Sequence, residues 1–232
     1  STKYWKQLKE IREAYLNSKD PIRNYWSTEA LVEAYDSTFA QRIGWKWDEV
    51  LNKLHSKVEF KKPISVDDWG CGSGIASRKF YQLFSDVITK VTPMDRSEKA
   101  VSYANKKLRE LGYKANDEKA EQVLLISHVL TELSSTDKSK LVDSLKSYSM
   151  FIWLEPGTKK ESHSLIEIRN KYLEEFDFIL PCPNSSNCPL TGSEDDWCHF
   201  FAEPPREIFH SAFWKEFNKY FSIDLRSLPL SF

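Results

Sequence analysis

The run Ile64-Ser65-Val66-Asp67-Asp68-Trp69-Gly70-Cys71-Gly72-Ser73-Gly74-Ile75 holds three of the seven glycines in a chain of 232 residues. Ile64–Trp69 reads as a strand and Ile75–Phe84 as a helix, so the glycines fill the turn between them. At such a turn glycine lets the backbone adopt positive φ and approach a ligand closely. The helix start adds N–H groups that point toward the same place. The spacing is G-x-G-x-G, with an acid, Asp68, two residues ahead of the first glycine. A dinucleotide fingerprint would read G-x-G-x-x-G and would not require that acid.

Working outward, the next strand, Val87–Met94, ends in Met94-Asp95-Arg96-Ser97, 21 residues beyond Gly74. An acid at that strand tip can accept both ribose hydroxyls of an adenosine. The plainer alternative is that Asp95 is a turn or N-cap residue before a helix. Asp67 reads as a solvated neighbour. The alternation then continues: helix Glu98–Leu111, a short strand at Tyr113–Ala115, a buried strand Val123–Ser127, helix 137–146, strand Met150–Glu155 and helix 162–175. This rhythm predicts a parallel sheet with crossover helices.

Before the sheet, residues 2–16 form an amphipathic pattern on Trp5, Leu8, Ile11 and Tyr15, broken by Asp20-Pro21. A second helix is expected over 28–42 on Leu31, Tyr35 and Phe39, and a third from Trp47 to His55. We divide the chain into a helical N-terminal region, 1–62, and a second domain, 63–232. The N-terminal Trp and Tyr residues read either as packing against the next domain or as an RNA or protein docking surface.

Charge is uneven: the net is +3 over residues 1–62, +2 over 63–160 and −6 over 161–232, for a total of −1. A uniformly basic nucleic-acid binder is excluded, although a weak basic face remains. No apolar run approaches the ~20 residues of a membrane span, and the N-terminus lacks the pattern of a secretory signal.

After Phe178 the rhythm breaks. Residues 181–205 carry prolines, polar turn residues and three of the four cysteines, Cys182, Cys188 and Cys198, at C-x5-C-x9-C spacing. Thiolates suit zinc or an iron–sulfur centre, but this is not a C-x2-C ribbon. A structural loop with buried thiols or one disulfide is the alternative. A helix at 206–220 and a strand-like end, Ile223–Phe232, follow.

The glycine loop with its preceding acid resembles motif I of class I S-adenosylmethionine-dependent methyltransferases. That resemblance implies a Rossmann-like α/β fold, with a mostly parallel sheet, a helical N-terminal extension and a Cys-rich insertion. It implies cofactor contacts from Asp68, Gly70, Gly72, Gly74, Asp95 and Arg96. Further along, Glu155-Pro156-Gly157-Thr158, then C-P-x4-C-P-L, then Asp196-Trp197-Cys198-His199-Phe200 resemble the small-ribosomal-subunit methyltransferase-like family. Val129-Leu130-Thr131-Glu132-Leu133 is similar to that family's V-L-N-E-L.

This second resemblance implies a partner, the small ribosomal subunit or its rRNA, and a compartment, the bacterial cytoplasm or the mitochondrial matrix. It also implies that Cys182, Cys188 and Cys198 ligate an iron–sulfur cluster, with zinc the alternative. The family's fourth cysteine lies further downstream than Phe232, so either the sequence is a fragment or the site is completed otherwise, with His199 a candidate fourth ligand. No catalytic residue is assigned. An N-P-P-Y run is replaced by Ser127-His128-Val129-Leu130, so His128 reads as either a base or a structural residue. Glu132 and Glu155 are candidates to line the site. Two rivals stay open: an inactive assembly factor, and a methyltransferase acting on a small molecule or a protein.

Overall fold

The computed structural model describes residues 2–17 and 26–232. The expected break at Asp20-Pro21 lies outside the described residues.

Four parallel strands form the centre: β1 (Ile64–Trp69), β2 (Ile88–Met94), β3 (Glu121–Ser127) and β4 (Met150–Pro156). Their order is β2-β1-β3-β4, with Trp69 level with both Met94 and Ile126. All three residues end their strands or nearly so, which puts the loops after β1, β2 and β3 at one edge of the sheet. Crossovers are made by α4 (Ile75–Phe84), α5 (Glu98–Glu110) and α6 (Ser135–Ser144), and α7 (Lys159–Lys171) follows β4. Two short strands, β5 (Phe200–Phe201) and β6 (Pro229–Ser231), close the far edge, with β6 antiparallel to β4. The α/β fold with a mostly parallel sheet is therefore the one expected.

Several boundaries differ for physical reasons. No strand forms at Tyr113–Ala115. Instead Asn116 N–H donates to Thr89 O, and the Tyr113 hydroxyl accepts Val91 N–H at 2.7 Å, so this stretch lies beside β2 without pairing as a strand. The C-terminal strand is confined to β6, because Ile223–Ser227 turns and Arg42 holds Ser227 O at 2.9 Å. The last helix, α8 (Ala212–Phe221), starts after a separate turn at Arg206–Phe209.

In the N-terminal region α1 (Trp5–Asn17) is followed by α2 (Glu29–Tyr35), a π-type turn at Asp36–Ala40 and α3 (Gln41–His55). The expected break between residues 42 and 47 is absent. Gly44 sits inside α3 because a Cβ there would come within 3.0 Å of Ile75 Cγ1, so the glycine permits close approach of α4. At the π-type turn Asp36 pairs with Arg78 of α4 and accepts the Tyr103 hydroxyl of α5 at 3.1 Å. Both Asp36 side-chain oxygens are thus spent on the sheet's helices, and breaking a buried pair of this kind costs ~3–5 kcal/mol.

The aromatic residues do the packing. Trp5 meets Phe213, Phe217, Tyr220 and Phe221, and Trp45 meets Trp214. One buried cluster runs from Trp5 through Val66 to Leu230. No described helix is long and apolar enough to cross a membrane.

Candidate functional site

A cleft of about 570 Å³ opens at the ends of β1, β2 and β3. Gly70, Gly72, Asp95 and Arg96 line it, together with Trp26, Tyr35 and Ile43 from the N-terminal region. Trp69, His128 and Glu132 complete the part nearest the glycines.

The three glycines all have positive φ, of 69°, 51° and 77°, but each for its own reason. A Cβ on Gly70 would lie 2.7 Å from Val129 Cγ1. One on Gly74 would lie 2.6 Å from Ala104 Cβ, so Gly74 lets α4 start against α5 and does not line the cleft. A Cβ on Gly72 would meet nothing within 4 Å. That open space belongs to the cleft.

Asp95 organises the loop. Its Oδ2 accepts Gly72 N–H at 3.0 Å and its Oδ1 accepts Ser97 N–H at 2.9 Å. Asp95 thus sits just past the tip of β2 and closes the turn, while the N-cap of α5 is Ser97, whose hydroxyl accepts Ala100 N–H at 3.4 Å. Each carboxylate oxygen keeps a second lone pair for a ligand. Arg96 is exposed at the rim, 3.3 Å from Glu132 Oε2.

Asp68 does not line the cleft; it is fully buried beneath the loop. Its Oδ2 accepts Ser77 N–H at 3.2 Å, while Oδ1 has no partner among the described residues. Burial raises its pKa from 3.8 to about 6. Asp67 is not simply solvated, since the Tyr148 hydroxyl donates to it at 2.9 Å.

The turn after β3 was only partly anticipated. His128 has φ 55°, a left-handed conformation that non-glycine residues seldom adopt. His128 N–H donates to Leu154 O at 2.8 Å. The next two N–H groups, of Val129 and Leu130, both donate to Glu155 Oε1, at 3.0 and 3.2 Å. Trp153 Nε1 donates to the same oxygen at 2.8 Å. Glu155 is fully buried, and burial raises its pKa to about 7. Lys46, on α3, is also buried; burial first, then the Arg42 charge, lowers its pKa to about 7 while Glu155 opposes the shift. Its place in this cluster is set by long-range packing, and no local motif announces it.

The structure brings the three cysteines to one cavity without arranging them as a ligand cage. Cys182, Cys188 and Cys198 are free thiols lining one cavity of about 770 Å³ against β4 and α7. Among the described residues no group of three or more His, Cys, Asp or Glu is arranged to hold a metal ion. The excursion is ordered by other means. Arg169 of α7 bonds the carbonyls of Asn184 and Ser186, Asn170 accepts Cys188 N–H at 3.0 Å, and Ser162 and Ser231 both bond Cys198 O at 2.7 Å. Trp197 Nε1 donates to Gly157 O at 3.0 Å.

Comparison with known proteins gives a family and a set of distant structural likenesses. The family model described as mitochondrial small ribosomal subunit Rsm22 matches residues 38–220. A SAM-dependent methyltransferase from Aquifex aeolicus is 19% identical, with TM-score 0.41, covering 56% of this chain and 73% of that one. An S-adenosylmethionine-dependent methyltransferase from Clostridium acetobutylicum is 15% identical, with TM-score 0.38, covering 59% and 60%. The plantazolicin methyltransferase BpumL, in complex with SAH, is 16% identical, with TM-score 0.41, covering 69% and 61%. No curated protein sequence matches.

Proposed function

The chain belongs to the mitochondrial small ribosomal subunit Rsm22 family, and from that membership and the cleft we propose that it binds S-adenosylmethionine and methylates the small ribosomal subunit or its rRNA. The observation that carries the reading is Gly72, whose positive φ turns a bare Cα toward open space in the cleft while its N–H is fixed by Asp95. A loop of that shape presents backbone to a ligand with no side chain between.

In this reading Gly70 and Gly72 contact the methionyl end and Asp95 takes the ribose hydroxyls on its free lone pairs. Arg96 stands at the rim. Asp68 and Gly74 shape the loop from beneath, and the unpartnered Asp68 Oδ1 reaches the ammonium group through water. The bound donor supplies an electrophilic methyl group, and the protein supplies alignment. The compartment that fits the family is the mitochondrial matrix or a bacterial cytoplasm.

Calorimetry with S-adenosylhomocysteine, followed by transfer of labelled methyl to small-subunit RNA, tests the reading. Binding and transfer support it. Binding without transfer favours an assembly factor that holds the cofactor unused. Transfer only to a small molecule or a protein favours the third reading, and preference for a nicotinamide dinucleotide refutes all three.

The cysteine-rich excursion carries a separable proposal, that Cys182, Cys188 and Cys198 ligate an iron–sulfur cluster or zinc once the loop closes on them. Its support is that all three line one cavity. Iron, sulfide and zinc analysis of anaerobically purified protein tests it, and protein free of all three refutes it.

A further inference from the structure

The far edge of the sheet carries a surface that the cofactor cleft does not use. β5 is the last strand in the order and pairs with β6 on one side only. Ala202 N–H goes to Leu228 O, so the alternation of an extended chain turns Phe201 N–H to the open side. Residues at two-residue spacing along this edge share one face. These are Trp197, His199 and Phe201, and their rings form a ladder. Trp197 stacks on His199 with centroids 5.1 Å apart and planes at 28°, and Phe201 meets His199 edge-on at 5.4 Å and 80°.

The outer end of this ladder is not core. Phe201 is 59% exposed, whereas the other exposed large hydrophobics among the described residues reach at most 39%. His199 beside it is exposed too. A contiguous aromatic patch on an open strand edge is the kind of surface that partners cover. Pro204 and Pro205 follow three residues on, which limits any added pairing to a short segment.

The charges around the ladder set the sign of that partner. Asp195 and Asp196 run into it and Glu203 follows it. All three are exposed, and none is in an ion pair among the described residues. Aromatic faces and unneutralised carboxylates both attract cations, and a guanidinium satisfies both at once: it stacks flat on a ring and pairs with a carboxylate. An RNA strand could stack its bases here, but its phosphates would meet these carboxylates. A second copy of this edge would bring the same negative charge.

We propose that the outer edge of β5 docks an extended, arginine-bearing segment of a basic protein. The segment adds as a strand beyond β5, with Phe201 N–H bonded to its backbone. Its guanidinium groups lie over the rings of Trp197, His199 and Phe201 and against Asp195, Asp196 and Glu203. This edge is at the opposite end of the strand order from the glycine loop, so the proposal stands apart from the methyltransferase reading.

The test uses the whole chain and a short fluorescein-labelled peptide of alternating arginine and valine, read by polarisation. Binding should saturate and weaken with salt. The same peptide with citrulline in place of arginine, equal in shape but neutral, should bind about tenfold more weakly. Phe201→Ser should weaken the arginine peptide by about fivefold or more, and so should the triple variant Asp195→Asn, Asp196→Asn and Glu203→Gln. Saturating peptide should slow hydrogen exchange at the Phe201 amide. Because these side chains are exposed, each variant should keep Tm within about 4 °C of wild type and S-adenosylhomocysteine affinity within twofold.

An arginine peptide that does not bind, a citrulline peptide that binds as tightly, or either variant binding the arginine peptide within twofold of wild type would overturn the site. Unchanged exchange at the Phe201 amide would overturn strand addition. Labelled oligouridine that binds more tightly than the peptide, and loses affinity in Phe201→Ser, would assign the ladder to RNA and overturn the proposed partner.

Discussion

Replacing Gly72 and Gly74 by alanine separates what the glycine loop does for the fold from what it does for a ligand. Both have positive φ, 51° and 77°, so an alanine at either costs ~1–2 kcal/mol in backbone strain. At Gly74 the new Cβ also lies 2.6 Å from Ala104 Cβ and 3.1 Å from its Cα, in the contact between α4 and α5. Overpacking of that kind adds ~1–3 kcal/mol. At Gly72 nothing lies within 4 Å. Gly74→Ala should therefore destabilise by ~2–5 kcal/mol and Gly72→Ala by only ~1–2. At ~2–4 °C per kcal/mol for a chain of this size, Tm should fall by roughly 4–20 °C and 2–8 °C respectively. Affinity should rank the other way. The Gly72 Cβ would project where the cofactor lies and weaken S-adenosylhomocysteine by about 10- to 100-fold, the same ~1–3 kcal/mol expressed as binding. Thermal melts and calorimetry on the two variants suffice. A Gly72→Ala protein that binds within twofold of wild type would remove the glycine loop from the site.

Three other outcomes follow from the geometry. Asp95→Ala should weaken S-adenosylhomocysteine by roughly 1.5–3 kcal/mol through lost charged hydrogen bonds, and an unchanged calorimetric affinity would exclude Asp95 from the site. Asp68 has its folded pKa raised from 3.8 to about 6, so the unfolded chain releases the proton first; its contribution is greatest below pH 3.8 and is lost as pH rises through 6. Denaturant titrations should show Asp68→Asn flattening the pH 4–7 slope by about 3 kcal/mol, and an unaltered slope would mean that Asp68 is not buried as a carboxylic acid. Arg169→Ala removes the bonds to Asn184 O and Ser186 O and should hasten proteolysis within residues 181–199 without altering cofactor affinity; an unchanged digestion rate would show that the excursion does not depend on α7.

The parts legible in the sequence share a physical trait: their signals are local. A rare glycine triplet after a strand, followed by a strand ending in acid, is written within some thirty residues, and both ends meet in the cleft through the Gly72–Asp95 bond. Where distant packing decides, reading failed. The expected break between residues 42 and 47 does not form, because Gly44 lets α4 lie against a continuous α3. The stretch at Tyr113–Ala115 has strand-like residues, but there Tyr113 spends its hydroxyl on β2 and no ladder forms. A strand as short as β5 leaves no periodicity to detect. Glu155 stands out in its motif, yet its grip on the His128 turn depends on β3 and β4 lying side by side. The cysteine spacing suggests a metal, whereas the ordering contacts come from Arg169, Asn170 and Ser162 on α7.

The most direct test of the account is single-turnover methyl transfer from labelled S-adenosylmethionine to small ribosomal subunits, with large subunits as the control. The account predicts label in the RNA of the small subunit alone, abolished in Gly72→Ala. Saturable S-adenosylmethionine binding with no label transferred to the small subunit, or equal label on both subunits, would contradict it.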